Sequence, residues 1–148
     1  MRLLTRVLAA LAITLMIGCD EKLSDVTGPT PNLQPTLTSI QHDIFETTDS
    51  SGRTTCVTCH TNVGRNPSGG LNLTAGNAYA SLVNTSSLLK PSATRVVPGN
   101  PEGSYLVQKL EGAAGIVGRR MPFNGPPYLT DGQILVIKRW IEIGAPNN

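Results

Sequence analysis

Cys56-Val57-Thr58-Cys59-His60 decides how this 148-residue chain is read. Two thiols three positions apart on one helical turn leave their sulfurs on the same side, and an imidazole follows at once. Such a pair can add across the two vinyl groups at one edge of a porphyrin and leave the histidine beneath the iron. Five residues then make three bonds to one haem. The same residue types serve other chemistry, but each alternative asks for something more. A structural zinc site takes four ligands, and beyond the motif only the distant His42 could join it, with no second cysteine pair. A thioredoxin-like dithiol needs a preceding strand in a βαβ context, which the pattern around the motif lacks. A disulfide between Cys56 and Cys59 would close a very tight loop and leave His60 without a role.

Upstream, the chain opens as an export signal. Arg2 and Arg6 precede an unbroken run of apolar or small residues from Val7 to Ile17, and Gly18-Cys19 follows. The run falls short of the roughly 20 residues that cross a bilayer, and no later segment approaches that length. Leu15-Met16-Ile17-Gly18-Cys19 resembles a bacterial lipoprotein box, which makes residues 1–18 a removed lipoprotein signal peptide and Cys19 the acylated N-terminus. The alternative is an ordinary signal cleaved nearby, with Cys19 incidental. The cysteine count favours acylation. Three cysteines are awkward in an oxidising compartment, whereas lipid on Cys19 and thioethers at Cys56 and Cys59 would leave no free thiol. Residues 19–35 are rich in Thr, Pro, Gly and Asp and read as a flexible tether, spanning about 20 to 25 Å as a coil. Residues 36–148 are then the folded domain.

Within that domain the periodicity is helical. Leu37, Ile40, Ile44 and Phe45 recur at helical spacing behind Pro35, predicting a short amphipathic helix over Leu37 to Thr47. A weaker pattern predicts another around Ala78 to Val83. Asn100-Pro101-Glu102 reads as a helix start leading into Tyr105, Leu106 and Leu110, with Gly112 as the stop. The clearest helix is the last: Thr130 and Gln133 form a capping box, Ile134, Ile137, Trp140 and Ile141 one apolar face, and Gly144 with Pro146 ends it. No alternating strand pattern appears. The fold class is all-α, with few short helices and long loops such as Gly64 to Gly76, and a large buried cofactor accounts for loops of that length.

Met1 and Met16 lie in the signal, so Met121 is the only methionine of the mature chain. It sits in Arg120-Met121-Pro122, inside an irregular Gly/Pro segment, and not in a helix where methionine usually fills a core. Thioether is a common axial partner of histidine in electron-carrying haem proteins, which makes Met121 the candidate distal iron ligand and His60 the proximal one. The rival is His42, on the helix before the motif, whose other reading is an exposed polar residue.

Charge separates by segment. From Asp20 to Asp49 one basic residue faces six acidic ones, and from Arg53 onward nine basic residues face four acidic ones. Two ionised haem propionates would offset part of that basic excess. A modestly basic surface suits an acidic redox partner protein, although a merely solvated surface carries the same charges. Nucleic acid is an improbable partner, because aromatics make up only 4% of the chain and basic pairs occur only at Arg119-Arg120 and Lys138-Arg139.

The order of N-terminal helix, Cys56-X-X-Cys59-His60, Asn100-Pro101-X-X-Ser104-Tyr105-Leu106-X-X-Lys109-Leu110, Arg120-Met121-Pro122 and Trp140-Ile141-X-X-Gly144-Ala145 resembles a class I cytochrome c domain. More narrowly, it is similar to the divergent monohaem domains of the planctomycete cytochrome type, over about Leu37 to Ala145. The resemblance implies a cytochrome c-like fold around one covalent haem c, first and last helices crossing near the haem edge, and Met121 reaching the iron opposite His60. In commoner members a proline carbonyl accepts from the histidine ring, and Pro67 is the nearest counterpart. Leu71, Leu73, Leu106 and Phe123 are the residues expected to exclude water, and Arg119, Arg120 and Arg95 are candidates to pair with a propionate. The expected function is one-electron transfer at the outer face of a bacterial membrane, by a tethered carrier that is not itself an enzyme. Two alternatives remain open: a fixed haem subunit of a larger membrane complex, and a five-coordinate haem sensor or enzyme with Met121 unbound. Four-helix cytochromes of the latter sort carry the attachment motif near the C-terminus, whereas here it follows the first helix.

Overall fold

Thr36 sets the start of the first helix: its side-chain oxygen accepts from the Ser39 backbone N–H at 3.2 Å, satisfying one of the orphan donors of the first turn. The computed structural model describes residues 32–48 and 51–148. The signal peptide, Cys19 and all of the tether before Asn32 lie outside the described residues. Helix α1 begins as Leu37–Ile40 and continues without a break into a π-helical turn, Gln41–Phe45, closed by Glu46 N–H to Gln41 O at 3.0 Å. A plain α-helix was the expectation. In α geometry each residue turns about 100°, so Phe45 would swing away from the face shared by Ile40 and Ile44. The wider turn keeps Ile44 and Phe45 both buried.

The remaining helices are α2 (Ala78–Leu82), α3 (Tyr105–Glu111) and α4 (Asp131–Glu142), with 3-10 turns at Cys56–Thr58 and Ser68–Gly70. The start of α3 differs from the sequence reading. Asn100-Pro101-Glu102-Gly103 forms a separate turn, with Gly103 N–H donating to Asn100 Oδ1 at 2.9 Å. Ser104 then breaks the helical path with extended backbone. It is fully buried, its hydroxyl donating to Asn100 O at 2.8 Å and accepting from Val97 N–H at 2.9 Å. Burying that hydroxyl requires both bonds, so the helix begins one residue later, at Tyr105. Gly112 ends it in the left-handed conformation.

Helix α4 carries the capping box read from the sequence, with Gln133 N–H to Thr130 Oγ1 at 3.2 Å and Thr130 N–H to Gln133 Oε1 at 3.0 Å. Its apolar face, Ile134, Ile137, Trp140 and Ile141, is buried. Beyond it the chain turns back: Trp140 Nε1 donates to Pro146 O at 2.8 Å, and Asn148 O accepts from Thr38 N–H at 2.8 Å. The last residues therefore dock on the first turn of α1. Leu33, in the stretch expected to be tether, also packs against the core.

Among the described residues there is no β-strand, only three isolated bridges, of which Val83 with Val96 is parallel. The chain is thus helical with few short helices. A single cluster joins α1, α2, α3 and α4 through residues such as Ile40, Leu82, Val107 and Ile137. Each such side chain, fully buried, contributes about 1.5–3 kcal/mol. No described helix is long and apolar enough to cross a membrane.

Candidate functional site

Between the motif, the Ser68–Gly70 turn, α3 and the loop after it lies a cavity of about 450 Å³. That volume falls within the roughly 300–1,000 Å³ of small-molecule and cofactor sites. Cys56, Cys59, His60 and Met121 all line it. So do Leu71, Leu73, Leu106 and Phe123, the four residues expected to exclude water.

The motif forms a 3-10 turn, closed by Cys59 N–H to Cys56 O at 3.2 Å, with His60 N–H on the same carbonyl at 3.0 Å. Both cysteines are free thiols, Cys56 half-buried and Cys59 exposed. Burial pushes the Cys56 thiol pKa up, and the neighbouring Arg53 guanidinium opposes that shift. Arg53 is a residue the sequence reading passed over. It is 1% exposed. Its Nη2 donates to Ile44 O at 3.3 Å and Thr47 O at 3.4 Å, and its Nη1 lies 3.9 Å from Cys56 Sγ, so it ties the end of α1 to the motif.

His60 is held from behind. Its Nδ1 lies 3.0 Å from Ser68 O. A carbonyl only accepts, so Nδ1 carries the proton and Nε2 is left with the lone pair that binds metals. The acceptor is Ser68 and not Pro67: Ser68 O accepts from the ring and also from Leu71 N–H at 3.3 Å, while Pro67 O accepts from Gly70 N–H at 2.9 Å. The turn is fixed to the motif by Ser68 N–H to Cys59 O at 3.0 Å and Leu73 N–H to His60 O at 2.8 Å. Burial lowers the His60 pKa, while the Ser68 and Leu71 carbonyls work the other way.

Met121 is half-buried at the cavity, its N–H donating to Lys109 O at 2.8 Å. His42 is placed elsewhere: its side chain is 78% exposed, paired with Asp43 at 2.8 Å, and does not line the cavity. Of the three arginines considered for propionates, only Arg95 lines it. Arg95 is buried and donates to Ser81 O at 2.8 Å and Gly69 O at 3.0 Å. Arg119 lies over the Phe123 ring and Arg120 over the Tyr128 ring. The sequence reading also missed Leu82, Leu89, Tyr105 and Lys109 as lining residues. Tyr105, Leu106 and Lys109 share one side of α3 at helical spacing, a signal present in the sequence; Leu89 sits in a loop with no period to reveal it.

Among the described residues, no three His, Cys, Asp or Glu converge to hold a metal ion by themselves. What converges is one imidazole, one thioether and two thiols on an apolar wall, with Arg95 and Lys109 as cations and no carboxylate in the lining. That donor set fits a largely apolar group that brings its own metal and carries some negative charge. Comparison with protein-family models, curated proteins and solved structures finds no match for this chain.

Proposed function

We propose that this protein is a monohaem c-type cytochrome that passes single electrons outside the cytoplasm. The observation that carries the reading is the convergence on one apolar cavity of Cys56, Cys59, His60 and Met121, drawn from distant parts of the chain. Haem c bound there would supply an iron that shuttles between the ferrous and ferric states, joined through thioethers at Cys56 and Cys59. His60 would hold the iron through Nε2, its tautomer set by the Ser68 carbonyl. Met121 would hold it through its thioether sulfur.

The chain's own residues set the properties of such a site. A thioether ligand raises the potential relative to a second imidazole, and apolar walls such as Leu71, Leu73 and Leu106 raise it further by disfavouring the charged ferric state. Arg95, buried at the cavity, is the lining arginine whose charge could pair with a propionate. Were His60 and Met121 both to hold the iron, no position would be left for substrate, which suits an electron carrier better than an enzyme. The export signal and Cys19 extend the reading to place: a lipid-anchored domain at the outer face of a bacterial membrane, exchanging electrons with partner proteins. Mass spectrometry of the mature N-terminus tests the anchor, and an unmodified Cys19 or cleavage elsewhere ends it.

The ligand set is tested spectroscopically. Oxidised protein should show the charge-transfer absorption of sulfur-to-iron ligation, lost in Met121→Ala, and reduced protein should resist carbon monoxide. Rapid carbon monoxide binding by the native ferrous protein would favour a five-coordinate sensor or enzyme.

A further inference from the structure

The segment 113–121, which carries Met121, has no regular structure and is rich in glycine, yet side chains from α3 hold it along its length. Tyr105 and Lys109 stand one turn apart on α3, so both face the same side. Val117 N–H donates to the Tyr105 hydroxyl at 2.8 Å. The Lys109 ammonium donates to Val117 O at 2.9 Å and also to Arg119 O. Its own carbonyl accepts from Met121 N–H at 2.8 Å. One residue therefore grips the loop twice, through its ammonium at Val117 and Arg119 and through its backbone carbonyl at Met121 itself. Lys90 adds a bond to Gly115 O at 3.0 Å.

Lysine is a costly choice for a half-buried position unless its donors are used. Here the donors are spent on backbone carbonyls of the Met121 loop. A glycine-rich loop gives up much conformational entropy to hold one geometry. Bonds that order it beforehand reduce what the Met121 sulfur must itself offset on binding iron.

We propose that Lys109, seconded by Tyr105, is the positioning residue that holds Met121 as an iron ligand. The inference rests on the His60/Met121 reading above. Lys109 reaches Met121 through the loop backbone, to which its ammonium and carbonyl are both bonded.

The test uses the full-length haem-loaded protein with Lys109→Leu, Lys109→Arg and Tyr105→Phe. Lys109→Leu keeps apolar bulk, removes the donor and adds no second sulfur, so the sulfur-to-iron charge-transfer absorption should weaken. Carbon monoxide binding to the ferrous form should accelerate by about tenfold or more, the scale set by one charge-assisted hydrogen bond. Covalent haem content and far-ultraviolet circular dichroism should not change. Lys109→Arg, which keeps the donors, should restore most of the absorption. Tyr105→Phe, a milder change that keeps the protein folded if Lys109→Leu does not, should accelerate carbon monoxide binding by roughly threefold, in line with a neutral hydrogen bond. Ile137→Val, a core change away from the cavity, should lower stability and leave the absorption intact. Native absorption and carbon monoxide exclusion in both Lys109→Leu and Tyr105→Phe would overturn the positioning role. Absence of the absorption from the native protein would overturn the His60/Met121 reading instead, and this inference with it.

Discussion

Trp140→Phe isolates what one side chain does for the closure of the fold. Trp140 is fully buried in the core, and its Nε1 donates to Pro146 O at 2.8 Å. Phenylalanine removes that donor, at about 1 kcal/mol for one neutral hydrogen bond. It also leaves a void the size of the missing ring portion, roughly 40 Å³, which at about 24 cal/mol per Å³ adds about 1 kcal/mol more. The total is about 2 kcal/mol, against about 3–5 kcal/mol for Trp140→Ala. With a urea slope near 1.5 kcal/mol/M, the Trp140→Phe midpoint should fall by about 1.3 M with the slope unchanged. Trp140 is the only tryptophan, so the assay is circular dichroism of the haem-loaded protein and not fluorescence. A local effect accompanies the global one. Pro146 leads into Asn148, which accepts from Leu37 N–H at 3.1 Å and Thr38 N–H at 2.8 Å, so both amides should lose protection from hydrogen exchange. A midpoint within about 0.3 M of native, with those two amides still protected, would refute the reasoning.

Arg53→Met should destabilise by about 2–4 kcal/mol, because Ile44 O and Thr47 O lose a buried donor; urea titration checks it, and a loss under about 0.5 kcal/mol would show that water replaces the guanidinium. Gly70→Ala places a Cβ 2.3 Å from Leu88 Cδ1 on backbone with φ +64°. Leu88 is exposed and can rotate away, so the cost should be the backbone strain alone, about 1–2 kcal/mol and equal to that of Gly76→Ala, where nothing lies within 4 Å. A thermal melt showing Gly70→Ala far costlier than Gly76→Ala would mean that Leu88 is locked. Asp43 raises the His42 pKa above its ordinary 6.5, through a hydrogen bond first and charge second. A raised pKa means the folded state holds the proton more tightly, so this contribution is present below pH 6.5 and fades as pH rises through the raised value. His42→Gln should flatten the dependence of melting temperature on pH in that window, and an unchanged profile would sink the assignment.

The sequence makes some of this molecule legible and hides the rest for identifiable reasons. Helix α4 can be read in full, because its cap, apolar period and stop are all local and all used as expected. The π turn of α1 cannot, since what it serves is tertiary: Ile44 and Phe45 are both buried in the core that the other helices complete. At Asn100-Pro101-Glu102 the local helix-start signal is real but is consumed by a turn, because buried Ser104 needs partners at Val97 and Asn100.

At the candidate site, the four principal residues could be named from motif and elimination, and the cavity brings them together. The supporting shell was less visible. Whether Pro67 or Ser68 offers its carbonyl to His60 depends on the register of one 3-10 turn, which composition does not specify. Nothing local marks Lys109 as a loop anchor; only the return of the loop shows that its donors meet the Val117 and Arg119 carbonyls.

The central claim is that haem is bonded covalently to Cys56 and Cys59. Intact mass spectrometry of the exported full-length protein under denaturing conditions tests it most directly. The account predicts the mass of the mature chain plus one haem, retained after unfolding. A chain that carries no haem, or sheds it on unfolding, would contradict it.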